Sequence, residues 1–325
     1  MKLLKRVLLR AALLAALLPA MAFAQAWPQK PVKFIVPLLA GGSVDQVARF
    51  FATELGKTMG QPFVVENLPG ANGSIGLAKV AQAAPDGHTF VVTANSFQTI
   101  SPHLSETPLP YDTTRDFTPV AGFVTVSHVI LAKPTLAANT LPELVALAKA
   151  TPQGLNHGSA STTGASYLAS VLFARRAGIK FTDVFYKGAA GAYTDLMGGH
   201  IDVFFDSLGA AIPLIASGKV KAIATTMEKR HPLTPNVPTV AENYPGFETS
   251  GWYALYGPAK VPAEIVNKLN AEITRVQSSP EFQTFAKTYG YEAMTGDAAK
   301  LASVQAKELA QWGEVAKMLA PAKTK

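Results

Sequence analysis

The sequence predicts an α/β protein of two lobes joined by a hinge. Three observations predict it. Short β-rich runs alternate with helical patterns along nearly the whole chain, the signature of sheets flanked by helices. The 325 residues exceed a typical single domain of roughly 100–200. No low-complexity linker divides them, so the lobes are expected to interleave and to share more than one crossing.

The chain opens with Lys2, Lys5, Arg6 and Arg10, an apolar run over 11–18, a break at Pro19 and then Ala22-Phe23-Ala24. A basic start, a short apolar core and an A-x-A site make an export leader. The run falls well short of the ~20 residues that span a bilayer. Residues 1–24 are therefore read as a signal peptide cleaved after Ala24, which directs the protein to the periplasm. Its removal takes the net charge from +7 to +3.

Val32, Phe34, Ile35 and Val36 predict a strand over 32–37, followed by a Gly41-Gly42 loop. Val47, Phe50, Phe51, Leu55 and Met59 share one helical face, which predicts a helix over 45–59 stopped at Gly60. A strand over 63–66, a helix over 76–84 closed by Pro85-Asp86-Gly87, and a strand over 89–93 complete the first run. Residues 117–133 are strand-like and cross into the second lobe. Thr140 and Glu143 form a capping box around Pro142, opening a helix to Ala150. Strands over 155–159, 183–186, 201–205 and 220–226 then alternate with helices over 164–177, 190–197 and 210–216. A proline-rich stretch over 232–245 marks a boundary, the strand over 251–257 returns to the first lobe, and helices over 262–279, 280–288 and 297–319 close the chain. Lobe 1 is thus expected over 25–127 and 246–325, and lobe 2 over 128–245.

Several function classes are poorly served. No block of Lys and Arg interleaved with aromatics points to nucleic acid, whereas a mild positive excess suits an anionic ligand. The absence of cysteine excludes disulfides, thiolate metal sites and a Cys nucleophile. The six histidines are scattered, and neither H-E-x-x-H nor G-x-S-x-G occurs. No cofactor is implied. Asp202 and Asp206 fall on one face of the 201–207 segment, which leaves an acid/base pair open beside the plainer role of accepting hydrogen bonds at a strand end.

Three loops share one design: Ala40-Gly41-Gly42-Ser43, Ser159-Ala160-Ser161-Thr162-Thr163-Gly164 and Lys187-Gly188-Ala189-Ala190-Gly191. Each follows a strand, is rich in small residues and opens a helix. Ligands of open α/β sheets bind at strand carboxyl ends. Helix amino-ends there present unpaired N–H groups and partial positive charge. Three such loops on two lobes point to a carboxylate held between them. Asp45 favours a helix start, Lys187 is either an ion pair to ligand or a solvated lysine, and Phe97, Tyr167 and Trp252 are core or cleft wall. The segment over 70–76 reads as a structural turn.

A series of motifs then appears in one order: Trp27-Pro28 with Lys30-Pro31, Gly41-Gly42 with Asp45 and Ala48-Arg49, Val65-Glu66-Asn67 with Pro69-Gly70, Ala84-Pro85-Asp86-Gly87, Tyr186-Lys187-Gly188, Asp195 with Gly198-Gly199, Asp202 with Phe205-Asp206, and Val237-Pro238-Thr239. In these the chain resembles the substrate-binding proteins of tripartite tricarboxylate transporters, the Bug family of periplasmic receptors. The resemblance implies a type II Venus-flytrap fold with three-layer lobes, a small carboxylate ligand (a di- or tricarboxylate, an amino acid or an aromatic acid) and delivery to inner-membrane permease subunits. It places the ligand among Leu38, Leu39, Ala40, Gly41, Gly42, Asp45, Ser96, Phe97, Ser159, Thr163, Gly164, Tyr186, Lys187, Gly188 and Asp206. The protein is expected to be a monomer with no metal and no catalysis. A sensory receptor of the same fold and a periplasmic hydrolase are the alternatives. Leu38, Leu39 and Phe97 suggest a ligand with an apolar body.

Overall fold

The computed structural model describes residues 27–105, 107–160, 164–186 and 188–319. The leader expected over 1–24 lies outside the described residues, as do Thr163 and Lys187. The elements run β1 (Val32–Val36), α1 (Ser43–Met59), β2 (Phe63–Asn67), α2 (Ser74–Ala81) and β3 (Thr89–Ala94). A π-helical turn (Ser96–Ile100) leads into the short α3 (Ser101–Leu104) and then β4 (Phe117–Ala132). Next come α4 (Leu141–Ala150), β5 (Leu155–Ser159), α5 (Ala165–Ala177), β6 (Phe181–Phe185), α6 (Ala189–Gly198), β7 (Val203–Ser207), α7 (Leu208–Ala216) and β8 (Lys221–Thr225). The chain closes with β9 (Ser250–Pro258), α8 (Ala263–Gln277), α9 (Pro280–Tyr289), β10 (Tyr291–Ala293) and α10 (Ala298–Leu319).

Strand β4 belongs to two sheets. Residues 117–127 pair antiparallel with β9, and 124–126 also pair with β10. β9 continues through β3 to β1 and β2. From His128 the same strand pairs with β7 on one edge, and from Val129 with β8 on the other. β7 continues in parallel to β5, and β5 to β6. One strand therefore runs through both lobes, and the chain crosses between them again between β8 and β9.

Period-two alternation gives each sheet two apolar faces. In the first lobe Phe34, Val36, Phe90 and Leu255 face a core with α1, α8 and α9. Ile35, Val91, Trp252 and Tyr256 face the opposite core with α2 and α10. In the second, Ile130 and Phe205 meet α4 and α5, while Leu131 and Phe204 meet α6 and α7. Each lobe is thus three layers deep. A smaller cluster of Ile100, Leu168, Trp312 and Val315 joins the lobes on the side of α5 and α10.

Three local differences from the sequence reading have physical causes. The Thr140 hydroxyl accepts from Glu143 N–H at 3.4 Å, but Glu143 reaches Asn139 N–H at 2.7 Å, one residue before the expected partner. A complete capping box instead sits at Thr239 and Glu242 in the proline-rich stretch, around a 3-10 turn over Val240–Glu242. β10 and the π-helical turn give no periodic signal because they span three and five residues.

On the other side of the crossing α7 packs directly on the corner between α9 and β10. A Cβ on Gly209 would stand 1.8 Å from the Tyr289 carbonyl oxygen. In an exposed helix Gly→Ala stabilises by about 1 kcal/mol. Here Gly209→Ala is expected to lower stability by about 1–3 kcal/mol, because rigid backbone must move aside. Thermal and denaturant unfolding of the variant checks the sign.

Candidate functional site

The first loop is held from below by one carboxylate. Asp45, in the first turn of α1, is buried, with a relative exposure of 3%. It accepts from Gly41 N–H at 2.8 Å, from Arg49 Nε at 2.9 Å and from Asn67 Nδ2 at 2.9 Å. Asn67 also donates to the Leu38 carbonyl, and Arg49 Nη2 donates to Asn67 Oδ1. The four motif residues Gly41, Asp45, Arg49 and Asn67 thus form one network that fixes the loop. Burial alone would raise the Asp45 pKa. The hydrogen bonds from Arg49, Gly41 and Asn67, with the Arg49 charge, outweigh it and hold the carboxyl below its ordinary 3.8. Gly41 stands at φ +87°, a left-handed conformation that glycine adopts without a Cβ penalty. Gly42 is extended (φ −77°, ψ 170°) and caps α1 with no side chain.

Helices α1, α5, α6 and α7 leave the carboxyl ends of β1, β5, β6 and β7. They begin at Gly42, Gly164, Gly188 and Ser207, and among the described residues none receives a side-chain cap. In α1 the first intrahelical bond runs from Gln46 N–H to the Gly42 carbonyl at 2.9 Å. The preceding N–H groups of the turn are left directed out of the helix. Away from this edge Thr140, Thr239 and Ser279 do cap their helices. α2 and α8 also lack such caps, so what distinguishes the strand-end set is that it draws on both lobes.

The two lobes come together around β9. The Ser43 hydroxyl, next to Gly42, is 2.8 Å from the Tyr253 hydroxyl. Asp206, at the carboxyl end of β7 in the second lobe, lies near enough for its charge to raise the Tyr253 pKa further. Burial raises the Asp206 pKa, against the opposing pull of the Ser207 N–H and the Tyr193 hydroxyl. In the second lobe Tyr186 N–H donates to the Ser159 carbonyl at 2.8 Å, tying two loops together. The Tyr186 hydroxyl donates to Asp195 at 2.7 Å, and burial with this bond pushes its pKa up to about 12. Gly188 has φ +104°, again suited to glycine.

Of the fifteen residues expected at the ligand, Leu39, Ala40, Gly41 and Gly42 are exposed on the first loop, and Gly164, Tyr186, Gly188 and Asp206 are part-exposed at the second lobe's strand ends. Ser96 is part-exposed just beyond the end of β3, and Ser159 is buried. Asp45 acts beneath the loop. Leu38 packs against the first core and Phe97 against the core with α2 and α10, its ring filling the space above Gly73. Both are therefore engaged in packing. The exposed apolar groups at strand ends are Leu39 and Phe185, at 73% and 50%. Ser43 belongs to the first loop the sequence singled out, but sequence reasoning missed Tyr253 and Phe185 as site residues; only the Trp252-Tyr253 pair in a strand hinted at one of them.

Asp202 and Asp206 do not form an acid/base pair. Asp202 precedes β7, where it accepts from Lys133 at 2.7 Å and from Asn156 N–H at 2.9 Å. Asp206 stands at the strand's other end, on the order of 13 Å along it. Among the described residues no group of three His, Asp or Glu is placed to hold a metal ion, and no helix is long and apolar enough to cross a membrane.

The family profile of the "Tripartite tricarboxylate transporter family receptor" (TctC) matches residues 47–320. The UPF0065 protein in the TAR-I ttuE-ttuC' intergenic region of Agrobacterium vitis is 35% identical over 301 residues, covering 91% of this chain and 86% of its own. Protein BugT of Bordetella pertussis is 34% identical over 266 residues, 81% of each chain. Among solved structures, R. palustris Rpa4515 with adipate has a TM-score of 0.78 at 31% identity, covering 90% of this chain and 97% of that one. MatC (Rpa3494) from Rhodopseudomonas palustris with bound malate has 0.75 at 32%, covering 89% and 100%.

The Asp45 network generates a prediction. Asp45→Ala leaves Gly41 N–H and Asn67 without their acceptor and is expected to cost about 1–3 kcal/mol in denaturant unfolding. The pH dependence follows from the depressed pKa. The wild-type contribution is complete above pH 3.8, the ordinary value, and is lost as pH falls through the lower folded value. Wild type and variant should therefore converge in stability only in strong acid.

Proposed function

Since this chain belongs to the tripartite tricarboxylate transporter receptor family, we propose that it captures a small carboxylate between its lobes in the periplasm and delivers it to the inner-membrane permease subunits of such a transporter. The observation that carries the reading is the set of uncapped helix starts at Gly42, Gly164, Gly188 and Ser207 on two facing lobes. Backbone N–H groups at helix starts bind anions through both hydrogen bonding and the helix dipole. A carboxylate offers each lobe an acceptor, so it stabilises the closed arrangement over the open one. The adipate and malate bound by the two Rhodopseudomonas relatives are of this chemical class.

The ligand contacts we propose are Leu39, Ala40, Gly41, Gly42, Ser96, Ser159, Thr163, Gly164, Tyr186, Lys187, Gly188 and Asp206, with Asp45 fixing the first loop. Asp206 gives the site polarity. A carboxyl group with a raised pKa favours a ligand whose far end donates a hydrogen bond, such as a hydroxyl, an amine or a protonated acid. Leu39 and Phe185 favour a carbon chain or ring between the two ends. The hydrolase alternative has lost its acid/base pair, since Asp202 is held by Lys133 and Asn156.

A thermal-shift panel of mono-, di- and tricarboxylates tests the proposal. The cognate acid at 100 times its dissociation constant should add about 2.7 kcal/mol of stability. Gly42→Glu should abolish the shift. The nearest atom to an added Cβ is the Leu39 carbonyl oxygen at 3.8 Å, so the side chain fits and only its charge opposes the ligand. A panel that shifts nothing, or an unchanged shift in Gly42→Glu, would contradict the proposal.

A further inference from the structure

Strand alternation divides β9 at the crossing. Tyr253 points to the face that holds Ser43 and the first loop. Its neighbour Trp252 therefore points to the opposite face, where it lines a cavity of about 460 Å³. The walls come from both lobes and from the crossing itself. Ala165 opens α5 in one lobe, Thr249 and Ser250 lie at the crossing, and Lys300, Lys307 and Trp312 belong to α10 in the other. Gly41, Gly42, Ser43, Tyr253 and Asp206 do not line it.

The chemistry of the walls points to a ligand. The Thr249 hydroxyl and Trp312 Nε1 are buried and have no hydrogen-bond partner among the described residues. An unmet buried donor is costly, and an acceptor on a bound molecule would remove that cost. Trp252, Met294 and Val304 supply apolar surface. Exposed Lys300 and Lys307 stand at the rim, opposed there by exposed Glu248. Glu308 also lines the cavity, but its carboxylate already accepts from Trp252 Nε1 at 2.7 Å, Thr99 at 3.0 Å and Asn95 at 3.3 Å. The adjoining groove shares Glu248, Thr249 and Gln311 with this cavity and adds Arg176, which extends the positive excess.

We propose that this cavity is a second small-molecule site, which takes an apolar-bodied anion carrying a hydrogen-bond acceptor. The body lies on Trp252, Met294 and Val304, the acceptor meets Thr249 and Trp312, and the charge meets Lys300 and Lys307. Because the walls belong to both lobes, occupancy is linked to the angle between them. The site stands whether or not the first loop binds a carboxylate.

Anilinonaphthalene sulfonate is a suitable probe, being an apolar-bodied anion that quenches nearby tryptophan by energy transfer. Trp252 and Trp312 are two of the three tryptophans in the chain. Titration of the protein should give saturable tryptophan quenching. Ser303→Tyr, which fills the cavity from an exposed lining position, should weaken binding at least tenfold. The double variant Lys300→Glu with Lys307→Glu should do the same through exposed side chains that leave the fold intact. Gly42→Glu should bind the probe as the wild type does. The proposal is overturned by absence of saturable quenching, by unchanged affinity in the filled and charge-reversed variants, or by loss of binding in Gly42→Glu, which would place the probe at the first loop.

Discussion

Both lobes depend on the backbone pairing of one strand. β4 is hydrogen-bonded along both edges and changes partners at Ser127 and His128, from β9 and β10 to β7 and β8. A strand so paired cannot slip by a single residue, because that would turn every side chain to the wrong face. Its position therefore fixes how the strand ends of the two lobes stand toward each other. His128 lies at the change of partners, and burial pushes its pKa down to about 4, so it stays neutral at the crossing. Rotation of one lobe against the other has to be absorbed where the ladders change, at 127–128 and between β8 and β9.

On that frame the division of labour at the first loop becomes clear. Gly41 supplies a backbone conformation, Gly42 supplies a helix start with no side chain, and Asp45 supplies rigidity from beneath. Asp45 is buried beneath the loop, so in the complex we propose it fixes the amides and does not itself meet the solute. A buried carboxylate tied to three donors leaves the outward-facing amides as the positive end of the site. The second lobe uses the same means, with Tyr186 and Ser159 joining two loops where the first lobe uses Asp45. Asp206 is the exception, a carboxyl group turned toward the region where the lobes meet. This is why the proposed ligand is an acid with a donor at its far end.

Much of this was legible in the sequence because local patterns set it. The helical face of α1, the short β-rich runs of β1 and β3, and the long run of β4 are local signals that tertiary contacts reinforced. The glycine loops were legible because glycine is so closely tied to left-handed backbone and bare helix starts. What could not be read were meetings across distance. Nothing local in Asn67 shows that it reaches Asp45, and nothing in Tyr253 shows that it reaches Ser43 across 210 positions. Of the two roles left open for Asp202, the plainer one holds: it accepts at the strand's start from Asn156 N–H and Lys133, which takes it out of any acid/base pair with Asp206. Leu38 and Phe97 were apolar and adjacent to the loops, yet sequence cannot tell a cleft wall from a core edge.

The central claim, that backbone amides from both lobes grip one carboxylate, is tested most directly by amide-proton NMR during titration with the acid that stabilises the protein best. The account predicts concerted downfield shifts and slowed exchange at Ser43 and Val44 in the first lobe and at Ala189 and Leu208 in the second. Shifts confined to one lobe, or saturation of binding with these amides unmoved, would contradict it.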